Sequence, residues 1–368
     1  MIKRISGYFS SIGIFVAATI GAGVFALPKT FELGGWFLGV VYLVSLSGVL
    51  AYAHYIYWLA LEKRGNPSLL GLVKAELGGW ARQVGFVSII LGLLLTLTAY
   101  LVLGERFLQN IFDIPPYILI LGFWAACSLP ILFNFSRFVF LEILGAALMV
   151  GAIVYLFVVS PDGGKFFELE AVNIKNIFLP FGPFIAALAG WTAIEPMIKD
   201  AAKKRTGVNP IKILGYGALA VAVLYFIFSV AVVGSSSVVS GDSIAGIDLL
   251  PSWVILLLSI FGLFAIWTSY LPIVLEIKKA LFRDLRFSEV VSFMVPIALP
   301  ILGVWAGLNN FFEIISFVGG VFLSVEYVLL IFASRRALNL RGWRSIAAGV
   351  CGIIFGLIAV YELAVFVF

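Results

Sequence analysis

The chain has 368 residues, 62% of them hydrophobic and only 12% charged, with a formal net charge of +5. Soluble domains carry about a quarter of their residues as charged groups, and no water-soluble fold could cover this much apolar surface. The excess is arranged as repeated apolar runs of about 20 residues, the length at which a helix crosses a hydrocarbon core of roughly 30 Å, so the expected solvent is lipid.

In chain order, Met1 to Arg4 followed by an apolar run imitates a signal peptide. The run continues through Gly and Pro into further apolar stretches without a cleavage site, so it reads as the first span. Spans are expected near 8–34, 36–61, 84–104, 114–134, 138–159, 177–199, 211–234, 253–276, 290–305, 311–333 and 346–368. The chain is therefore expected to be an all-α polytopic membrane protein of eleven transmembrane helices. It forms one domain over 1–368, with polar stretches at Glu62–Arg82, Pro161–Asn176 and Ser235–Asp248. Basic residues orient it: with the N-terminus cytoplasmic, 20 of the 24 Lys and Arg fall on inside segments, leaving Lys29, Arg106, Lys165 and Lys175 outside. The C-terminus is then outside, and the expected location is the cytoplasmic membrane. This spread over every inside loop accounts for the positive charge without a nucleic-acid partner. Cys127 and Cys351 lie inside apolar runs with no partner spacing, so neither a disulfide framework nor a metal site is indicated.

The first span carries Thr19-Ile20-Gly21-Ala22-Gly23-Val24 with Pro28 beyond, which puts two helix-weakening glycines at mid-membrane. The sixth repeats the arrangement: Pro180, Pro183, then Ala189-Gly190-Trp191-Thr192 and Pro196. Backbone groups freed at such points need partners, since lipid supplies none. Each interrupted span begins a set of five. Five is odd, so the second set lies inverted relative to the first: repeats at about 8–160 and 177–335, with 346–368 as an extra helix. Many secondary transporters are built this way.

The segment Ile20-Gly-Ala-Gly-Val-Phe-Ala-Leu-Pro28, the glycine-centred stretch Gly190-Trp-Thr-Ala-Ile-Glu-Pro196 and the run Ala265-Ile-Trp-Thr-Ser-Tyr-Leu271 resemble the amino acid–polyamine–organocation superfamily. Within it they are similar to the amino acid/auxin permease and hydroxy/aromatic amino acid permease branches. The resemblance implies the LeuT-type fold with broken helices 1 and 6, and amino acid transport by alternating access. In one respect the chain departs from the pattern: Trp191 stands where some relatives have a histidine.

An amino acid zwitterion needs donors for its carboxylate and acceptors for its ammonium group, and a broken helix supplies both from its two half-helix ends. The expected substrate contacts are the backbone at Ile20, Gly21, Ala22 and Gly23 for the carboxylate, with the Tyr100 hydroxyl as a further donor. Carbonyls at Leu188, Ala189 and Gly190 are expected to take the ammonium group, and Trp191 is either a pocket wall or packing. Buried carboxylates in spans are functional suspects. Glu195 is the first of these, for coupling or gating, unless it simply pairs with Lys199 one turn on. His54, the one histidine, is a second candidate for coupling, or else a packing group.

On the eighth span a carbonyl at Ala265 and hydroxyls at Thr268 and Ser269 share one helical face and can converge on a cation. The resemblance to sodium-coupled carriers implies carbonyls of Ala17 and Ile20 as the remaining ligands. Val24 stands where an asparagine would hold a second ion, so a single sodium is expected as the coupling ion, with a proton as the alternative. Hydroxyls of this kind also bond a carbonyl one turn back. No other cofactor is indicated. The expected partners are a small-molecule amino acid and the bilayer, with no obligatory protein partner. One histidine and no paired acidic motif speak against an enzyme. A channel or a non-transporting amino acid sensor is the remaining rival.

Overall fold

The computed structural model describes residues 2–129, 138–204, 209–284 and 286–367. Its helices follow the apolar runs. The first run holds α1 (Ile2–Thr19) and α2 (Leu27–Gly34), joined by a 3-10 turn over Ala22–Ala26 and bent by 52° between Ser10–Thr19 and Ala22–Gly34. Gly35 ends α2 at φ 98°, where a side chain would be strained and a Cβ would stand 2.6 Å from the Ala171 carbonyl oxygen. That corner is held by the loop beyond the fifth run, whose Glu170 and Ala171 carbonyls accept the N–H groups of Trp36, Phe37 and Leu38.

α3 (Trp36–Lys63) follows, and then α4 (Leu69–Leu77) inside the stretch expected to be a polar connection. Ser68 caps α4 by accepting the Gly71 N–H at 3.2 Å, and Leu69, Leu72 and Val73 are buried at helical spacing. The Arg64–Glu76 pair at 2.5 Å fixes its far end. This helix is too short and too mixed in polarity to register as a span, which is why hydropathy passes over it.

α5 (Gly79–Gln109), α6 (Pro116–Ser128) and α7 (Phe138–Val159) complete the first half. The sixth run is again interrupted, as α8 (Phe181–Leu188), a 3-10 turn at Trp191–Ala193 and α9 (Ile194–Lys204). α10 (Pro210–Gly234), α11 (Ser252–Asp284) and α12 (Glu289–Trp305) come next. The tenth run, expected as one helix, is α13 (Phe311–Phe317), a π-helical segment at Val318–Leu323 and α14 (Ser324–Leu338); α15 (Gly342–Val367) ends the chain. The π segment lies where Gly319 meets α8 so closely that a Cβ would fall 1.9 Å from the Gly182 carbonyl oxygen.

Among the described residues seven helical stretches are long and apolar enough to cross a membrane, and the bent first pair makes an eighth. Three shorter apolar helices, Pro116–Ser128, Leu144–Val159 and Glu289–Trp305, stand where the fourth, fifth and ninth spans are expected. The expected end of the fourth span, together with Arg137 and Arg205, lies outside the described residues. Large apolar side chains such as Val44, Leu219, Leu299, Ile353 and Val360 are exposed on the outer faces, the pattern of a surface solvated by acyl chains rather than water. The loop after α10 folds back over the first break. Ser243 donates its hydroxyl to the Phe25 carbonyl. At its base the Ser237 N–H, 2.7 Å from Asp248 Oδ1, holds the Asp248 carboxyl below the ordinary carboxylate range.

Candidate functional site

The two interruptions lie against each other. At the first, Ile20 closes α1 by donating to the Val16 carbonyl at 2.8 Å, and Gly21 is extended at φ −127°, ψ −165°. The N–H groups that open the following half-helix have no intrahelical acceptor. At the second, Ala189 closes α8 by donating to Ile185 at 2.9 Å and then turns extended at ψ 119°. Gly190 follows at φ −139°, ψ 17°.

Close packing joins them. A Cβ on Gly190 would stand 2.6 Å from Thr19 Oγ1 and 3.0 Å from the Phe15 ring, and a Cβ on Gly23 would stand 2.8 Å from the Ala187 Cα. Gly23 is therefore the point where the first break touches the α8 backbone. Gly21 has more room, with the Tyr100 hydroxyl 3.5 Å from where its Cβ would be. Ile20, Gly21, Ala22, Gly23, Tyr100, Leu188, Ala189 and Gly190 are thus gathered in one region.

Three side chains far from the breaks in sequence hold this region together. Tyr225 of α10 is fully buried, and its hydroxyl lies 2.8 Å from the Thr19 carbonyl and 2.9 Å from the Ala187 carbonyl, donating its one proton between the two half-helix ends. Tyr327 of α14 accepts the Gly190 N–H at 3.3 Å and lies 2.7 Å from His54 Nε2. Glu326, its neighbour, accepts the Trp191 indole N–H at 3.0 Å and is 4% exposed. Each is a polar group in the middle of an apolar run, the one signal in sequence that marks it.

His54 is buried, edge-on to Phe15 with ring centroids 5.6 Å apart, and its Nδ1 has no hydrogen-bond partner. Together with Phe15, Thr19, Ser47 and Leu188 it lines a small cavity between α1, α3, α8 and α10 that admits little more than a water molecule. Trp191 is tied to α14 through its indole. Glu195 stands apart: it pairs with Lys199 at 2.5 Å and its side chain is 38% exposed, the local ion pair that helical spacing allows.

On α11 the Ala265 carbonyl and the Thr268 hydroxyl come together, but with each other, the hydroxyl donating to the carbonyl at 2.9 Å. Thr268 faces α7, where a Cβ on Gly145 would stand 2.5 Å from its Oγ1. Ser269, the next residue on α11, is half-buried. α11 packs on α5, α7 and α12, and shares no extended contact with α1, the helix of Ala17, or with the turn after Ile20.

The chain matches the family described as transmembrane amino acid transporter protein over residues 4–235, more than half its length. Solved structures share its fold. A manganese transporter of Eremococcus coleocola superposes with a TM-score of 0.67 at 11% identity, over 97% of this chain and 86% of that one. MhsT in complex with L-phenylalanine gives 0.64 at 14% identity, over 95% and 98%. A Na+-coupled sialic acid symporter gives 0.63 at 14% identity, over 95% and 88%. No functionally curated protein matches in sequence. The fold is thus of the LeuT type, and the chain is a multi-pass membrane protein belonging to the transmembrane amino acid transporter family. It is a transporter and not an enzyme.

Proposed function

We propose that the protein is a secondary active symporter of amino acids across the cytoplasmic membrane, with the substrate held between the two helix breaks. The observation that carries this reading is the direct apposition of the breaks, Gly190 on Thr19 and Phe15 and Gly23 on Ala187, in a member of an amino acid transporter family. The N–H groups at Gly21, Ala22 and Gly23 and the Tyr100 hydroxyl take the carboxylate, and carbonyls at Leu188, Ala189 and Gly190 take the ammonium group. Trp191 walls the side-chain pocket. The cavity beside the breaks is water-sized, so entry of an amino acid requires the half-helices to part, as alternating access demands. The reading includes eleven spans in two inverted repeats at about 8–160 and 177–335, an extra helix, and a cytoplasmic N-terminus.

Coupling is proposed to one sodium ion, with Ala17, Ile20, Ala265, Thr268 and Ser269 converging on it in a state that brings α1 and α11 together. The Na+-coupled symporter of the same fold supports this. A proton in place of sodium is the second reading, favoured by the Thr268 hydroxyl being occupied by the Ala265 carbonyl. Uptake into proteoliposomes under a sodium gradient at equal pH separates the two. Accumulation that follows sodium and is lost in Thr268→Ala with Ser269→Ala supports the first; accumulation that ignores sodium and follows a proton gradient supports the second. Absence of trans-stimulated exchange for every amino acid would refute transport in favour of a channel or sensor.

A further inference from the structure

Glu326 lies on α14 at 4% exposure, with the Trp191 indole N–H on its Oε2 at 3.0 Å. Around α14 pack α3, α4, α5, α15 and the π segment, and among the described residues none of them offers Glu326 an ion pair. From α3 comes His54, bonded to Tyr327 rather than to Glu326. From α4 comes Glu76, paired with Arg64, its carbonyl also accepting from Arg336 of α14. α15 brings Glu362, turned toward Gly182 and Gly320. α5 presents Gly92, whose Cβ would stand 3.8 Å from Glu326 Oε1, while its Glu105 and Arg106 pair with each other at the other end of the helix. Arg335, one helix end away, donates to Ser345. Among the described residues Glu326 has no ion-pair partner.

A lone carboxylate buried among apolar groups needs a positive partner, and the one cation that needs no space of its own is a proton. Oε1 is placed to carry it while Oε2 goes on accepting from Trp191. We propose that Glu326 binds and releases one proton in the transport cycle, and that its hydrogen bond to Trp191 passes that change to the second break. Taking up the proton forms an O–H bond at Oε1 with a proton from water on one side of the membrane, and release returns it to water on the other. A hydrogen bond to an ionised acceptor is roughly twice as strong as one to a neutral acceptor. The ionised form therefore clamps Trp191 on α14, and the protonated form loosens the clamp. Gly190, held by the adjacent Tyr327, belongs to the same hinge. The proposal rests on the breaks being the substrate site and on the second reading above, in which a proton takes the place of sodium.

The test uses the full-length protein in proteoliposomes with a trapped pH dye, no sodium gradient and a mixture of the common L-amino acids. Adding the mixture is expected to evoke proton movement in the wild type. That movement is lost in Glu326→Gln, which keeps an acceptor for Trp191 and cannot carry a proton, and whose amino acid exchange becomes insensitive to pH. Infrared spectra of the same samples without substrate are expected to show a protonated-carboxyl carbonyl band that titrates with pH and is missing in Glu326→Gln. Trp191→Phe is expected to change that band's frequency and the pH at which it appears, which serves if Glu326→Gln does not fold. Proton movement retained in Glu326→Gln, an unchanged band there, or a band indifferent to Trp191→Phe would each overturn the proposal. If no amino acid is exchanged but the band titrates and depends on Glu326, the proton site stands and the substrate reading falls.

Discussion

Gly21 and Gly23 are two residues apart, yet the structure packs them differently, and alanine at each tests the difference. A Cβ on Gly23 would lie 2.8 Å from the Ala187 Cα, 3.0 Å from the Ala187 N and 3.1 Å from the Ala186 carbonyl carbon. All three are backbone atoms, so no rotamer change relieves the overlap and α8 must move away from the first break. Overpacking of that kind costs about 1–3 kcal/mol. A Cβ on Gly21 meets only the Tyr100 hydroxyl at 3.5 Å, an ordinary contact, and its φ of −127° suits any residue. Its steric cost is within about 0.5 kcal/mol. Gly23→Ala should therefore melt several degrees below wild type in detergent, and Gly21→Ala close to it. The buried thiols Cys127 and Cys351 serve as reporters, reacting with a maleimide dye only once the protein unfolds. In substrate binding Gly21→Ala is no longer silent, because its methyl enters the space assigned to the carboxylate beside Tyr100. Gly21→Ala should lower amino acid affinity without loss of stability. Equal melting of Gly23→Ala and wild type would refute the packing argument. Unchanged affinity in Gly21→Ala would refute the placement of the substrate.

Removing the Tyr225 hydroxyl strips a donor from the Thr19 and Ala187 carbonyls at once, so Tyr225→Phe should cost about 1–3 kcal/mol; an unshifted melting curve would refute its bridging role. Gly319→Ala, with a Cβ 1.9 Å from the Gly182 carbonyl oxygen, is expected to yield no correctly assembled protein, and a monodisperse, wild-type-like elution profile would contradict the α8 contact. A tag at the N-terminus should be accessible only from the cytoplasm and one at the C-terminus only from outside; both on one side would end the eleven-span reading. Glu195→Gln should leave exchange within about twofold of wild type, as an exposed i,i+4 pair contributes only about 0.3–0.5 kcal/mol. A larger loss would return Glu195 to the coupling machinery.

The sequence by itself determined the solvent and the interruptions. Bilayer thickness sets the length of an apolar run, and glycine weakens a helix wherever it stands, so both facts are written locally in the chain. The apolar runs, the break at Gly21 and the break at Gly190 were legible on those grounds, whereas α4 and the π segment in the tenth run were not. Only the tertiary structure decided which polar groups serve the breaks. Tyr225 reaches a carbonyl 206 residues away and Tyr327 reaches an N–H 137 residues away, and hydropathy carries no record of such pairings. It also separated two readings that share one pattern. Glu195 beside the break had the better position in sequence, and the structure pairs it with the lysine four residues on, its side chain partly exposed. Glu326, far along the chain, reaches the same break because α14 turns that carboxylate inward onto Trp191. A side chain's partner depends on which helices become neighbours, and that is settled by close contacts between small residues such as Gly23 with Ala187 and Gly319 with Gly182, not by any local property of the run that carries it.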